Sequence, residues 1–65
     1  MPSDKELVAF KIGARARKMA NEDCVVEGYE ILLGAIHESV DSGDAEMEAL
    51  CRKELQKYEA KYLEA

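Results

Sequence analysis

The single proline, Pro2, is followed by 63 residues without another. Proline removes a backbone donor and clashes with the preceding turn, so its absence leaves the whole stretch open to helix. That stretch is rich in Ala, Leu, Glu and Lys, which are strong helix formers. Its β-branched cluster "CVV" sits inside a helical period rather than an alternating one.

Apolar spacing and turn residues divide the stretch in three. The first helix is predicted over about residues 4–20. "SDKE" offers Ser3 as a cap with Glu6 three residues on, a capping box. At about 100° per residue, Val8, Ile12, Ala16 and Met19 fall on one face. "NED" then reads as a turn, with Asn21 or Asp23 as the next cap. The second helix, about 24–40, has the clearest stripe: Val25, Val26, Tyr29, Leu32, Leu33, Ile36 and Val40. Glu27, Glu30, Gly34, Glu38 and Asp41 lie opposite. "DSGD" ends it, with Gly43 in the turn and Asp44 as the following cap. The third helix, about 45–63, carries Met47, Leu50, Cys51, Leu55, Tyr58 and Tyr62 as its stripe. Glu48 and Arg52 are a favourable i,i+4 pair, and Lys53, Lys57 and Lys61 gather where the helix dipole favours cations.

Short connections make neighbouring helices antiparallel. The expected structure is therefore all-α: one domain over residues 1–65, an up-down-up three-helix bundle with Leu32, Leu33, Ile36, Leu55 and Tyr58 in its core. A chain of 65 residues hides only roughly 60% of its unfolded surface, so this core is small. Such domains lean on disulfides, metals, regular helix packing or self-association. The apolar share of 48% argues against disorder. Folding the last two helices about residues 42–43 separates Cys24 from Cys51 by about ten residues of helix, roughly 15 Å. A disulfide tolerates less than about 7 Å between Cα atoms, so free thiols are expected.

Charge is unevenly spread over a net −5. Residues 1–20 hold Lys5, Lys11, Arg15, Arg17 and Lys18 against Asp4 and Glu6. Residues 21–65 hold four basic groups against twelve acids. Lys11, Arg15 and Lys18 recur at i, i+4, i+7 as a basic ridge on the first helix. Such a ridge lies along phosphates, meets an acidic protein, or is simply a solvated face. The acidic whole and the absence of zinc-finger, RNA-binding or helix-turn-helix signatures argue against nucleic acid. The nine acids from Glu22 to Glu48, uninterrupted by Lys or Arg, imitate a nucleic acid or only solubilise the surface.

Apolar residues are left over. Leu7, Phe10 and Ala14 lie away from the Val8/Ile12/Met19 face. Cys24, Ile31 and Ala35 form a minor strip on the second helix. Either each helix buries a wide arc, or a second chain covers Leu7, Phe10, Ala14 and Ile31.

Catalytic and metal constellations are not evident. His37 is the lone histidine, at the edge of the second helix. A zinc site needs four convergent ligands, and Cys24, His37 and Cys51 fall at different levels. A di-iron bundle needs Glu-x-x-His on two helices, which one histidine cannot supply. Gly13, Gly28 and Gly34 are isolated within helices, where they permit close approach or weaken the helix. Glu54 falls inside the third stripe, either leaning to solvent or meeting a basic group from the first helix or another chain. No basic leader and no long apolar run is visible, so the chain is expected in the cytoplasm, with no membrane partner and no cofactor. The reading that best fits is a small acidic, non-enzymatic protein-binding module. As a regulator, inhibitor or adaptor it binds another protein, itself, or both. The alternative is a nucleic-acid-binding regulator using the basic ridge.

Overall fold

A computed structural model describes residues 2–63. The described residues are all helical apart from short connections, and three helices pack against one another. Helix α1 spans Asp4–Asn21, α2 spans Val25–Asp41 and α3 spans Ala45–Tyr58. The last helix then widens into a π-helical turn over Glu59–Leu63.

Local chemistry explains most helix ends. The capping box forms at α1: Ser3 Oγ accepts from Glu6 N–H at 3.2 Å, and Glu6 Oε1 accepts from Ser3 N–H at 3.3 Å. Asp44 Oδ1 caps α3 by accepting from Met47 N–H at 3.0 Å. The two connections share one backbone device. Cys24 N–H donates to Met19 O at 2.8 Å, and Asp44 N–H donates to Ser39 O at 2.9 Å, each a six-residue closure. Both need a left-handed residue just before the donor. Gly43 supplies it at φ 72° and Asp23 at φ 64°. That geometry corrects the expected cap of α2. Neither Asn21 nor Asp23 caps it; Cys24 takes the position, without a side-chain hydrogen bond to the helix.

The core has two connected parts. Ala16, Ala20, Leu32 and Tyr58 form one, and Ala9, Ile36 and Cys51 the other. Ile12 and Leu55 pack against both. Of the residues expected inside, Leu32, Ile36 and Tyr58 are buried, while Leu33 and Leu55 are half-buried. The inward face of α1 differs from the expected one. It is Ala9, Gly13, Ala16 and Ala20, while Val8 stays about half exposed and Met19 half-buried. The cause lies across the interface. Helix α3 presents Glu54 and Tyr58, two long side chains, and only small residues on α1 leave space for them. Helix α2 is narrower inside than its stripe implied: Val26 and Val40 remain exposed.

Two of the mid-helix glycines are explained by this packing. A Cβ on Gly28 would lie 2.6 Å from the Ala16 carbonyl oxygen and would also strike the Tyr58 hydroxyl. A Cβ on Gly13 would strike the Glu54 carboxylate. Nothing lies within 4 Å of a Cβ placed on Gly34. The Tyr58 hydroxyl donates to Val25 O at 2.6 Å, which satisfies a phenol that is otherwise buried. Both cysteines are free thiols, Cys51 buried and Cys24 half-buried.

Candidate functional site

The α1 surface toward α3 opens into a groove of about 330 Å³. Leu7, Ala9 and Phe10 from α1 and Leu50 from α3 supply its apolar wall. Lys53, Lys57 and Glu54 from α3 border it. Leu7 is 44% exposed and Phe10 58%, so two large apolar side chains stand at the groove with no cover from the described residues.

The groove gathers only part of the apolar patch expected from sequence. Leu7 and Phe10 line it, while Ala14 is exposed elsewhere on α1 and Ile31 is half-buried on α2. The basic ridge is on the surface: Lys11, Arg15 and Lys18 are all exposed. Among the described residues, none of the three forms an ion pair.

Arg17, which lies off that ridge, holds the charged centre beside the groove. Its Nη1 is 3.3 Å from Glu54 Oε1, and Lys57 Nζ is 3.4 Å from Glu54 Oε2. Glu54 therefore does meet a basic group from the first helix, and its side chain is only 9% exposed. A buried carboxylate is tolerated when both oxygens are paired, and removing one partner is far worse than removing the whole group. The guanidinium of Arg17 also lies 5.6 Å from the Phe10 ring centroid, a cation–π contact. Phe10 is thus propped by Arg17, Arg17 is anchored by Glu54, and Gly13 provides the space for that carboxylate. The sequence held two signals of this set: an acid inside an apolar stripe, and a glycine in mid-helix on the facing element.

A second recess of about 220 Å³ lies between α1 and α2, with Val8, Ile12, Glu38 and Met47 on its walls. Ser39 there donates its hydroxyl proton to Ala35 O at 2.9 Å. Below it Lys5 pairs with Asp44 at 3.0 Å. The N–H of Met47 and the Lys5 ammonium together hold the Asp44 carboxyl below its ordinary range. Among the described residues, no group of three or more His, Cys, Asp or Glu is placed to hold a metal ion. None of the described helices is long and apolar enough to cross a membrane. His37 is exposed on α2.

Comparison with protein-family models, with curated proteins and with solved structures gave no match for this chain.

Proposed function

We propose that the chain is a small acidic, non-enzymatic protein-binding module of the cytoplasm, acting as a regulator, inhibitor or adaptor in a self-associated state. The observation that carries this is the exposure of Leu7 and Phe10 at a groove bordered by charge. Aromatic side chains that stand in water beside a pocket are typical anchors of protein interfaces. Phe10 is also held in place by Arg17, so less side-chain freedom is lost when a partner covers it.

We further propose an up-down-up course of the helices, and three contacts support it. Lys5 near the start of α1 meets Asp44 at the start of α3, and Asn21 at the end of α1 meets Tyr62 beyond the end of α3. Val25 at the start of α2 meets Tyr58 at the end of α3. In this arrangement α1 and α3 run side by side in one direction, with α2 behind them.

The nucleic-acid reading has one observation in its favour, the exposed ridge of Lys11, Arg15 and Lys18. A single experiment separates the two: affinity capture from the native host after nuclease treatment, with wild type and Phe10→Asp in parallel. Protein capture that survives nuclease and is lost in Phe10→Asp is the expected result. Capture that vanishes with nuclease in both forms overturns the protein-binding reading in favour of the ridge.

A further inference from the structure

We infer that the groove between α1 and α3 receives helix α2 of a second copy, so that copies join head to tail. The inference rests on the groove being a protein-binding surface and names its occupant. The first observation is the groove itself, with Leu7, Phe10 and Leu50 beside Lys53, which forms no ion pair among the described residues, and Lys57, which already pairs with Glu54. Its two acids are already engaged: Glu54 by Arg17 and Lys57, and Glu6 in the capping box of α1.

The second observation is the outer surface of α2. Val26 is 68% exposed, Val40 is 52% exposed, and Leu33 between them is half-buried. These three recur at i, i+7, i+14, so they form an apolar strip along one edge of the helix, and the exposed His37 falls on that edge between Leu33 and Val40. Glu30 and Asp41 are exposed beside that strip. Helix α2 contains no Lys or Arg.

The two surfaces are complementary in both respects that decide protein association. One is an apolar recess with Lys53, unpaired among the described residues, at its border; the other is an apolar ridge bordered by carboxylates. Opposite charges at the border steer docking and set its register, and the apolar contact supplies most of the hold. An amphipathic helix laid in a groove is a common recognition mode, read through anchors spaced along one face. The groove and the strip are different surfaces of one chain. Their pairing is therefore heterologous, and it extends into a chain of copies or closes into a ring.

Mixing two blocked variants tests this. Phe10→Asp disables the groove and Val26→Glu disables the strip, and both sites are exposed in the monomer. Lys53→Glu is a second groove variant at an exposed site, and a circular dichroism melt of each variant checks its fold. Mass is followed by light scattering and sedimentation over a wide concentration range. The wild type is expected to grow past a dimer as concentration rises. Each blocked variant alone is expected to stay monomeric, and an equimolar mixture of the two to form a one-to-one complex. Lys53→Glu is expected to weaken wild-type association by about tenfold at low salt.

A wild type that remains monomeric at about 1 mM overturns self-docking. So does a wild type that stops at a dimer while the mixed variants fail to pair. If the monomeric chain then shows Leu7 and Phe10 resonances shifting on addition of an unrelated acidic amphipathic helix, the groove still binds protein and only the occupant is wrong. A monomeric chain with no such shift takes the groove reading down as well.

Discussion

Helix α3 sends two long polar-tipped side chains toward glycines, and the two sites are built differently. Tyr58 reaches Gly28 on α2, is 1% exposed, and ends on the Val25 carbonyl. Glu54 reaches Gly13 on α1, is 7% exposed, and ends on two cations beside an open groove. The first site is a sealed neutral contact, where a large ring contributes burial and one hydrogen bond satisfies its hydroxyl. The second is charged, reaches the surface, and supports the side chains that line the groove. Stability is therefore concentrated at Tyr58, and the candidate binding surface is concentrated around Glu54.

The sharpest way to break this division is to truncate each residue. Tyr58→Ala removes a fully buried ring from the centre of the larger core cluster. It should cost about 3–5 kcal/mol, which approaches the whole stability of a small domain. Glu54→Leu removes the carboxylate and leaves Arg17 and Lys57 with access to water, so it should be close to neutral for stability. Chemical denaturation followed by circular dichroism compares the two. Equal losses would mean that the ion pair holds the bundle together as much as the ring does. Glu54→Leu should instead alter the groove, because Arg17 loses its anchor beside Phe10.

The glycines give a finer comparison. Alanine at Gly28 meets a carbonyl of the α1 backbone, which cannot move without shifting the helix. Gly28→Ala should cost about 1–3 kcal/mol through overpacking. At Gly13 the nearest atoms belong to the ends of Glu54 and Arg17, which can swing aside. There the gain in helix propensity, about 1 kcal/mol, offsets much of the clash. Thermal melts of both variants should rank Gly28→Ala clearly below Gly13→Ala, and the reverse order would place the tighter helix contact at α1–α3.

Gly34 extends the series to a site without any clash. Gly34→Ala should raise stability by about 1 kcal/mol, since the added methyl meets nothing and the helix backbone loses less entropy. A lower melting temperature would show that the monomer needs a glycine there for a reason outside its own packing.

These sites also mark what a pattern reading can see. Three helices were legible because long apolar stripes and turn residues punctuate the chain. The Ser3–Glu6 box and the Glu48–Arg52 pair, at 2.8 Å, were legible because both partners lie within a turn of each other. The inward face of α1 was not. Periodicity weights large apolar residues, and Val8 outscored Ala9 one position away. Burial on α1 is decided instead by what α3 must fit against it, so Ala9, Gly13, Ala16 and Ala20 turn inward. Leu7, Phe10, Ala14 and Ile31 are the apolar residues that the stripes of two helices leave over. The groove instead draws on α1 and α3, and Arg17 and Glu54 stand 37 residues apart in the chain.

The smallest expected effect is on alkaline stability, and it again bears on the sealed site. Burial pushes the Cys51 thiol above its ordinary 9.0, with Glu54 and Asp44 adding to the shift. Burial likewise raises the Tyr58 phenol above 10.0, with Tyr62 and Glu27 adding. At Lys5 the hydrogen bond to Asp44 raises the ammonium above 10.5. All three groups hold their proton more tightly in the folded chain than in the unfolded one. Folding is therefore favoured while they are protonated, and stability falls as pH rises from each ordinary value through the raised one. The denaturation midpoint should be flat from neutral pH to about 9 and then decline. The neighbouring Glu27 carboxylate also raises the thiol of Cys24, which is half-buried. Cys51→Ala should make the early part of the decline shallower, although its melting temperature at neutral pH is lower. Cys24→Ala should make it shallower too, because the Cys24 thiol is raised from the same ordinary value. A decline altered only by Cys24→Ala would place the alkaline-sensitive thiol there, and the sealed half of the core would then not be what fails first in base.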